Sequence, residues 1–265
     1  TTLLHSLSRY LNDCNQTFFL MASTGRAAKV VADKTGMNAY TIHKSIYSMN
    51  DLKEDKIFDE IGTETFKYYF NIRNNDNPTN TIYIIDESSM ISNHYSESEF
   101  FRFGTGHLLN DLFKYIGVSQ DNINRKIIFI GDSAQLPPVN MSYSPALDIE
   151  HLNKILPNLS IDEFEMTDVV RQTENSGILN SATSIRKQIN EDTFHKLNIE
   201  TCNDDIIEIR HSDIADIYIN RLKESKNDII IISYSNNSVQ NYNQLIRNRI
   251  FKDNCIDIQL EDKIL

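Results

Sequence analysis

Residues 81–90 read TIYIIDESSM. Ile82, Tyr83, Ile84 and Ile85 form a short apolar run rich in β-branched side chains, which suits a strand buried on both faces of a parallel sheet. Asp86 and Glu87 follow at its carboxyl end. Ser88 and Ser89 come next, and their hydroxyls suit the cap of a turn or helix. Open α/β sheets bind ligands just past the carboxyl ends of their strands. An acid pair there suits a magnesium–phosphate site, with one carboxylate in the metal shell and the other orienting or deprotonating a water. The plain alternative is a strand end with two solvated acids, and the rest of the chain decides between them.

Downstream, a helical segment runs from about His107 to Ile116, and residues 126–130 (KIIFI) read as the next buried strand. It ends in Gly131-Asp132-Ser133-Ala134-Gln135-Leu136-Pro137-Pro138-Val139. Strand, helix, strand implies a right-handed crossover and parallel strands, so Asp86, Glu87 and Asp132 are expected to face one crevice. Gln135 stands just past the strand, where a carboxamide can contact a phosphate or an attacking water. Pro137 and Pro138 stiffen that loop.

Upstream, residues 17–21 (TFFLM) read as another buried strand, and Ala22-Ser23-Thr24-Gly25-Arg26 turns into a helix running to about Lys34. A hydroxyl–glycine–basic turn at a helix N-terminus attracts an anion through free backbone N–H groups, the dipole and Arg26. An ordinary turn with a permissive Gly25 and a solvated Arg26 fits the same residues. Thr41 is a candidate cap for the short helix that holds His43 and Lys44.

Residues 51–80 are a polar excursion holding Phe66-Lys67-Tyr68-Tyr69-Phe70 and the turn cluster Asn74-Asn75-Asp76-Asn77-Pro78. This pattern predicts a hairpin standing out from the sheet. Its aromatics either stack on bases or form a small apolar cluster of their own. Farther on, residues 164–170, 206–209 and 228–234 (DIIIISY) read as strands. Helices are expected from Ser176-Gly177 to about Ile189, over 214–222, and from Ser235-Asn236 through Ile246. The last strand–turn–helix repeats the design of residues 17–34. The expected organisation is a first domain over 1–168, with 51–80 protruding, and a partial second α/β domain over 169–265.

Composition narrows the function classes. The chain has 265 residues, 40% hydrophobic and 24% charged, so a packed core is expected and wholesale disorder is not. A formal charge of −11 argues against coating nucleic acid by bulk electrostatics, although a local basic groove on an acidic body is compatible with it. Cys14, Cys202 and Cys255 give neither a disulfide framework nor a zinc spacing, which points to a reducing cytoplasm. No apolar run is long enough for a membrane span, so no membrane partner is expected.

Thr1-Thr2-Leu3-Leu4 leads directly into an amphipathic helix ending near Tyr10 and Leu11. In P-loop proteins a Lys followed by Ser or Thr stands at such a junction, and the hydroxyl binds magnesium. Thr1 suits that hydroxyl role, or is simply a helix cap. No G-x-x-x-x-G-K occurs in the sequence, and the expectation is a phosphate loop upstream of Thr1.

With these residues placed, the chain resembles superfamily 1 DNA helicases of the RecD and Dda type. STGRAAKV (residues 23–30) resembles a PTGRAA-type motif that grips single-stranded DNA, and TIHK (41–44) resembles the DNA motif after it. IIDESSM resembles the Walker B box, usually DEASM, and GDSAQLPPV (131–139) resembles GDxxQLPPV, which couples nucleotide to DNA. MTDVVRQ (166–172) resembles LTEVYRQ, whose arginine reaches the γ-phosphate, and YSNNSVQNYNQLIR (234–247) resembles a second-domain segment on the DNA backbone. Ser23 replaces the usual Pro, Ala134 an acid and Ser235 a Thr; the Walker A loop and the later motifs, with their arginine finger, are not among these residues.

The resemblance implies a RecA-like P-loop NTPase fold: a parallel sheet with helices on both faces, followed by a partial second RecA-like domain. It implies ATP and Mg2+ as cofactors and single-stranded DNA as partner, alongside replication or repair proteins. It assigns catalysis to Glu87, Gln135 and Arg171, the metal to Asp86 and Thr1, and nucleotide contacts to Thr1, Thr2 and Asp132. DNA contacts fall to Thr24, Gly25, Arg26, Thr41, His43, Ser235 and Asn236. The implied activity is 5′-to-3′ translocation and unwinding driven by ATP. The alternatives are a P-loop ATPase without unwinding, and an inactive fragment that holds single strands.

Overall fold

The computed structural model describes residues 2–58, 64–119, 124–167, 176–193, 199, 201, 205–224 and 229–251. The chain divides into two units, Thr1–Thr167 and Asp168–Leu265.

In the first unit, α1 (Thr2–Asp13) leads into β1 (Phe18–Ala22), α2 (Gly25–Thr35), β2 (Ala39–Thr41) and the one-turn helix α3 (Ile42–Ile46). Then come β3 (Tyr47–Phe58), β4 (Glu64–Ile72), β5 (Ile82–Asp86), β6 (Phe101–Phe103), α4 (Leu108–Ile116), β7 (Lys126–Phe129) and α5 (Ile149–Ile155). β2, β1, β5 and β7 lie side by side in that order, all parallel. The register matches Leu20 with Ile84 and Ile84 with Ile128.

Successive strand residues point to opposite faces, and both faces are covered. Leu20, Ile84 and, partly buried, Phe18, Ile82 and Ile128 meet Leu4 and Leu11 of α1 and Val31 of α2. Met21, Tyr83, Ile85 and, partly buried, Phe19, Ile127 and Phe129 meet Ile42 and Ile46 of α3 and Leu109, Leu112 and Ile116 of α4. This is why the strands read as unbroken apolar runs rather than as alternation. Each fully buried side chain contributes about 1.5–3 kcal/mol relative to exposure.

The hairpin expected within 51–80 is formed by β3 and β4 and begins earlier, at Tyr47; its turn lies outside the described residues, and the turn cluster 74–78 follows β4 instead of joining the two strands. β3 and β4 pair antiparallel, and β6 adds a third strand parallel to β4. β6 has only three residues in a polar, aromatic stretch, too short to show a period. Phe70 stacks on Phe103 with centroids 4.7 Å apart, and Tyr68 stacks on Phe101 at 5.9 Å.

The second unit holds α6 (Gly177–Asn190), α7 (Ile214–Glu224) and α8 (Asn236–Phe251). Here the structure corrects the sequence reading. Among the described residues of 164–170, 206–209 and 228–234 no strand ladder forms. Ile207 is 71% exposed and Ile232 88% exposed. A β-branched run becomes a strand only where a neighbour supplies hydrogen bonds and a face to bury; the helical periods needed no such neighbour.

Candidate functional site

Ala22 of β1 is in register with Thr41 on one side and with Asp86 on the other, and the Ile130 amide donates to the Ile85 carbonyl at 2.8 Å. Four chain segments therefore leave one carboxyl edge of the sheet side by side. In sheet order they are Thr41–Lys44, Ser23–Arg26, Glu87–Met90 and Gly131–Gln135. The two hydroxyl-rich turns occupy the β2–β1 half of the edge, and the acids occupy the β5–β7 half.

The acid half is tightly built. Glu87 adopts φ 53° and ψ 44°, a left-handed conformation that side-chain-bearing residues take at a cost of about 1–3 kcal/mol and that clusters at functional sites. Its amide donates to Asp86 Oδ1 at 3.1 Å, which fixes the Asp86 carboxylate at the strand end. Ser88 is fully buried; its hydroxyl donates to the Ile85 carbonyl at 2.8 Å and its amide to the Ile130 carbonyl at 3.0 Å. Ser88 thus shapes the turn, and of the turn or helix that the sequence allowed, the structure has the turn: Ser88–Met90 is a single 3-10 turn.

Gly131 lies against that turn. A Cβ on it would meet Leu147 Cδ1 at 2.8 Å and the Ser89 and Ser88 amide nitrogens at 3.1 and 3.2 Å. The absence of a side chain brings the β7 loop onto the acid-pair turn. The Asp132 carboxylate accepts from the Ala134 amide at 3.0 Å, and the Asp132 carbonyl accepts from the Gln135 amide at 3.0 Å. A cavity of about 370 Å³ opens where the two loops meet, lined by Ser89, Met90, Ala134, Gln135 and Leu136. Gln135 is exposed at its mouth. The sequence singled out Asp86, Glu87, Asp132 and Gln135 and gave Gly131 no role of its own, although it stands after a strand at the head of GDSAQLPPV.

In the other half, Thr24 caps α2, its hydroxyl accepting from the Ala27 amide at 3.2 Å. Arg26 follows in the first turn, exposed. Thr41 caps α3 in the same way, accepting from the Lys44 amide at 3.2 Å. His43 presents one exposed edge while its ring packs on Tyr47 and Phe103, with centroids 5.7 and 5.3 Å away. This partial burial lowers its pKa below the ordinary histidine value. The Ser23 hydroxyl is buried with no hydrogen-bond partner among the described residues.

Thr2 opens α1, exposed. Because α1 delivers the chain to the amino end of β1, its first turn lies toward the carboxyl edge. In the second unit the Ser235 hydroxyl accepts from the Ser238 amide at 3.2 Å, and Asn236 is the first residue of α8. Thr1 and Arg171 lie outside the described residues.

A family model described as an AAA domain matches residues 1–141, just over half of the chain. The chain belongs to the AAA domain family. The match runs from α1 past Gln135 and contains all four segments of the carboxyl edge. The AAA domain here is a P-loop ATPase type, and its parallel sheet with helices on both faces is a RecA-like P-loop NTPase core.

Such domains use a nucleotide, usually with Mg2+. The acid half fits that pair. Magnesium in ATPase sites is held by one or two carboxylates plus the substrate's phosphates, not by an all-protein cage. Among the described residues no group of three His, Cys, Asp or Glu forms such a cage, whereas Asp86 stands fixed at the strand end with Asp132 on the neighbouring loop. No helix among the described residues is long and apolar enough to cross a membrane.

Proposed function

We propose that this AAA domain protein is an ATP-driven translocase on single-stranded DNA, a superfamily 1 helicase of the RecD/Dda-like type moving 5′ to 3′. The single observation that carries the reading is the division of one sheet edge into two chemistries. Acids and a carboxamide stand on the β5–β7 half; hydroxyl-capped helix starts with Arg26, His43 and Lys44 stand on the β2–β1 half. Adjacent strands of one sheet join the two halves.

In this reading Asp86 holds the metal shell and Asp132 supports it, Thr1 and Thr2 lie beside the nucleotide, and Glu87 orients the attacking water. Gln135 and Arg171 sense the γ-phosphate. A bound metal–nucleotide supplies the phosphoryl group and neutralises its charge. The protein's part is to position the water and hold the carboxylates in place. Thr24, Gly25, Arg26, Thr41 and His43 contact the DNA backbone, as do Ser235 and Asn236 in the second unit. With a formal charge of −11, binding rests on local phosphate contacts and not on the average field.

The test is ATP hydrolysis, with and without single-stranded DNA, by the polypeptide carrying these residues behind a G-x-x-x-x-G-K loop. DNA is expected to stimulate turnover. Glu87→Gln is expected to lower turnover by about 100-fold or more while nucleotide affinity stays within about twofold. Turnover indifferent to DNA would leave a P-loop ATPase without a track. Full turnover in Glu87→Gln would remove that residue from the reaction.

A further inference from the structure

Behind the exposed edge of His43 lies a buried polar network that the proposed function does not use. Asp111, in the first turn of α4, is 1% exposed, a charge taken almost wholly out of water. Three donors compensate it. The Tyr47 hydroxyl reaches Oδ2 at 2.8 Å, the Thr105 amide reaches Oδ2 at 3.0 Å, and the Thr105 hydroxyl reaches Oδ1 at 2.7 Å. Burial and the neighbouring carboxylate push the Tyr47 phenol well above its ordinary pKa, so it remains a donor.

The chain comes unusually close here. Gly104 has φ +51°, and a Cβ on it would collide with Asp111 Oδ2 and meet Tyr47 Cε1 at 2.7 Å. The Gly104 amide in turn donates to the Phe70 carbonyl at 2.8 Å, which ties the network to the three-stranded sheet. The Tyr47 ring, 3% exposed, has its centroid 5.3 Å from Phe103 and 5.7 Å from His43. His43 meets Phe103 edge-on. Two rings therefore hold the imidazole from behind, and one of them is fixed in rotation by a hydrogen bond to a buried carboxylate.

We propose that Asp111, acting through the Tyr47 hydroxyl, is a positioning residue for His43, locking the ring wall that presents the imidazole edge from the Thr41–His43 turn to single-stranded DNA. The inference rests on the reading of that turn as a DNA contact. A hydrogen bond shared with a buried charge suits the task, because leaving the carboxylate short of a donor is costly and the bond resists rotation of the phenol.

The test measures the affinity of the 265-residue chain for a fluorescent dT oligomer by anisotropy. The variants are His43→Ala, Tyr47→Phe, Asp111→Asn and the His43→Ala/Tyr47→Phe pair. Tyr47→Phe keeps the ring and removes only the donor, so it carries the test if Asp111→Asn fails to fold. His43→Ala is expected to weaken binding about fivefold and Tyr47→Phe about threefold, the scale of one polar contact. The double variant is expected to bind no more weakly than His43→Ala alone, because the hydroxyl acts only through the imidazole. The His43 ring proton resonances are expected to move in Tyr47→Phe. Additive losses in the double variant would overturn the inference. So would unchanged affinity in Tyr47→Phe beside a weakened His43→Ala, an outcome that leaves the DNA contact standing. Unchanged affinity in His43→Ala would overturn the contact itself, and the inference with it.

Discussion

Thr24 caps α2 by accepting from the Ala27 amide at 3.2 Å, and Ser235 stands before α8 and accepts from the Ser238 amide at the same distance. Locally the two turns are built alike. What feeds them differs. The first follows β1, paired on both sides by β2 and β5 and covered on both faces. The second follows 229–234, a run in no ladder, with Ile230 59% exposed and Tyr234 fully exposed. A cap is satisfied within four residues of chain, whereas a strand needs partners from elsewhere in the sequence. Similar sequence patterns therefore give one turn held by a sheet and one held by its helix alone.

The sharpest way to break this contrast is to truncate the run behind each turn. Ile84→Ala, in the doubly covered sheet and 1% exposed, is expected to cost about 2–5 kcal/mol in urea unfolding. Ile232→Ala, 88% exposed, is expected to stay within about 0.5 kcal/mol. Equal costs would show that 229–234 is buried in a sheet and would erase the difference.

A smaller effect tests the likeness. Thr24→Ala and Ser235→Ala each remove one cap acceptor, and each is expected to cost about 1 kcal/mol by thermal unfolding. Because the cap bond is local, the two losses should agree although the strands behind them differ. A loss confined to Ser235→Ala would mean that the sheet, not the cap, holds the Thr24 turn.

The smallest effect concerns the third turn, at His43. Its partial burial lowers its folded-state pKa, so the unfolded chain binds the proton more readily. Stability contributed by the neutral ring is present above the unfolded value of about 6.5 and falls as pH drops from there through the folded value. His43→Gln is expected to flatten that part of the stability–pH curve slightly. A curve of unchanged slope between pH 7 and 5 would show that the ring does not sense its aromatic wall.

How far the sequence carried the reading follows the same division between local and tertiary. Three strands of the four-stranded sheet were legible because strands buried on both faces are apolar throughout, as in 82–85 and 126–130. The placement of Asp86, Glu87, Asp132 and Gln135 at one sheet edge was legible because chain order alone puts such residues after parallel strands. β2, three residues long, and β6, which pairs only through β4, carried no period of their own. The left-handed Glu87 and the packing of Gly131 on Ser88 and Ser89 depend on how two loops meet, and no spacing encodes that. The Asp111–Tyr47 bond joins residues 64 positions apart, and a lone Asp in a helix gives no hint of it. The strands expected in the second half show the converse: their composition was right, and among the described residues no neighbour pairs with them.

The central claim is that the capped helix starts grip a DNA backbone. Fluorescence anisotropy with dT, dA and dC oligomers at several salt concentrations tests it most directly, comparing the chain with Arg26→Ala and Asn236→Ala. Phosphate contacts carry no base information, so each variant is expected to weaken all three oligomers about equally, by roughly fivefold. The logarithmic salt slope of the unaltered chain should reflect only a handful of released counterions, and Arg26→Ala should reduce it by about one. Unchanged affinity in both variants would contradict the account and leave two ordinary helix starts.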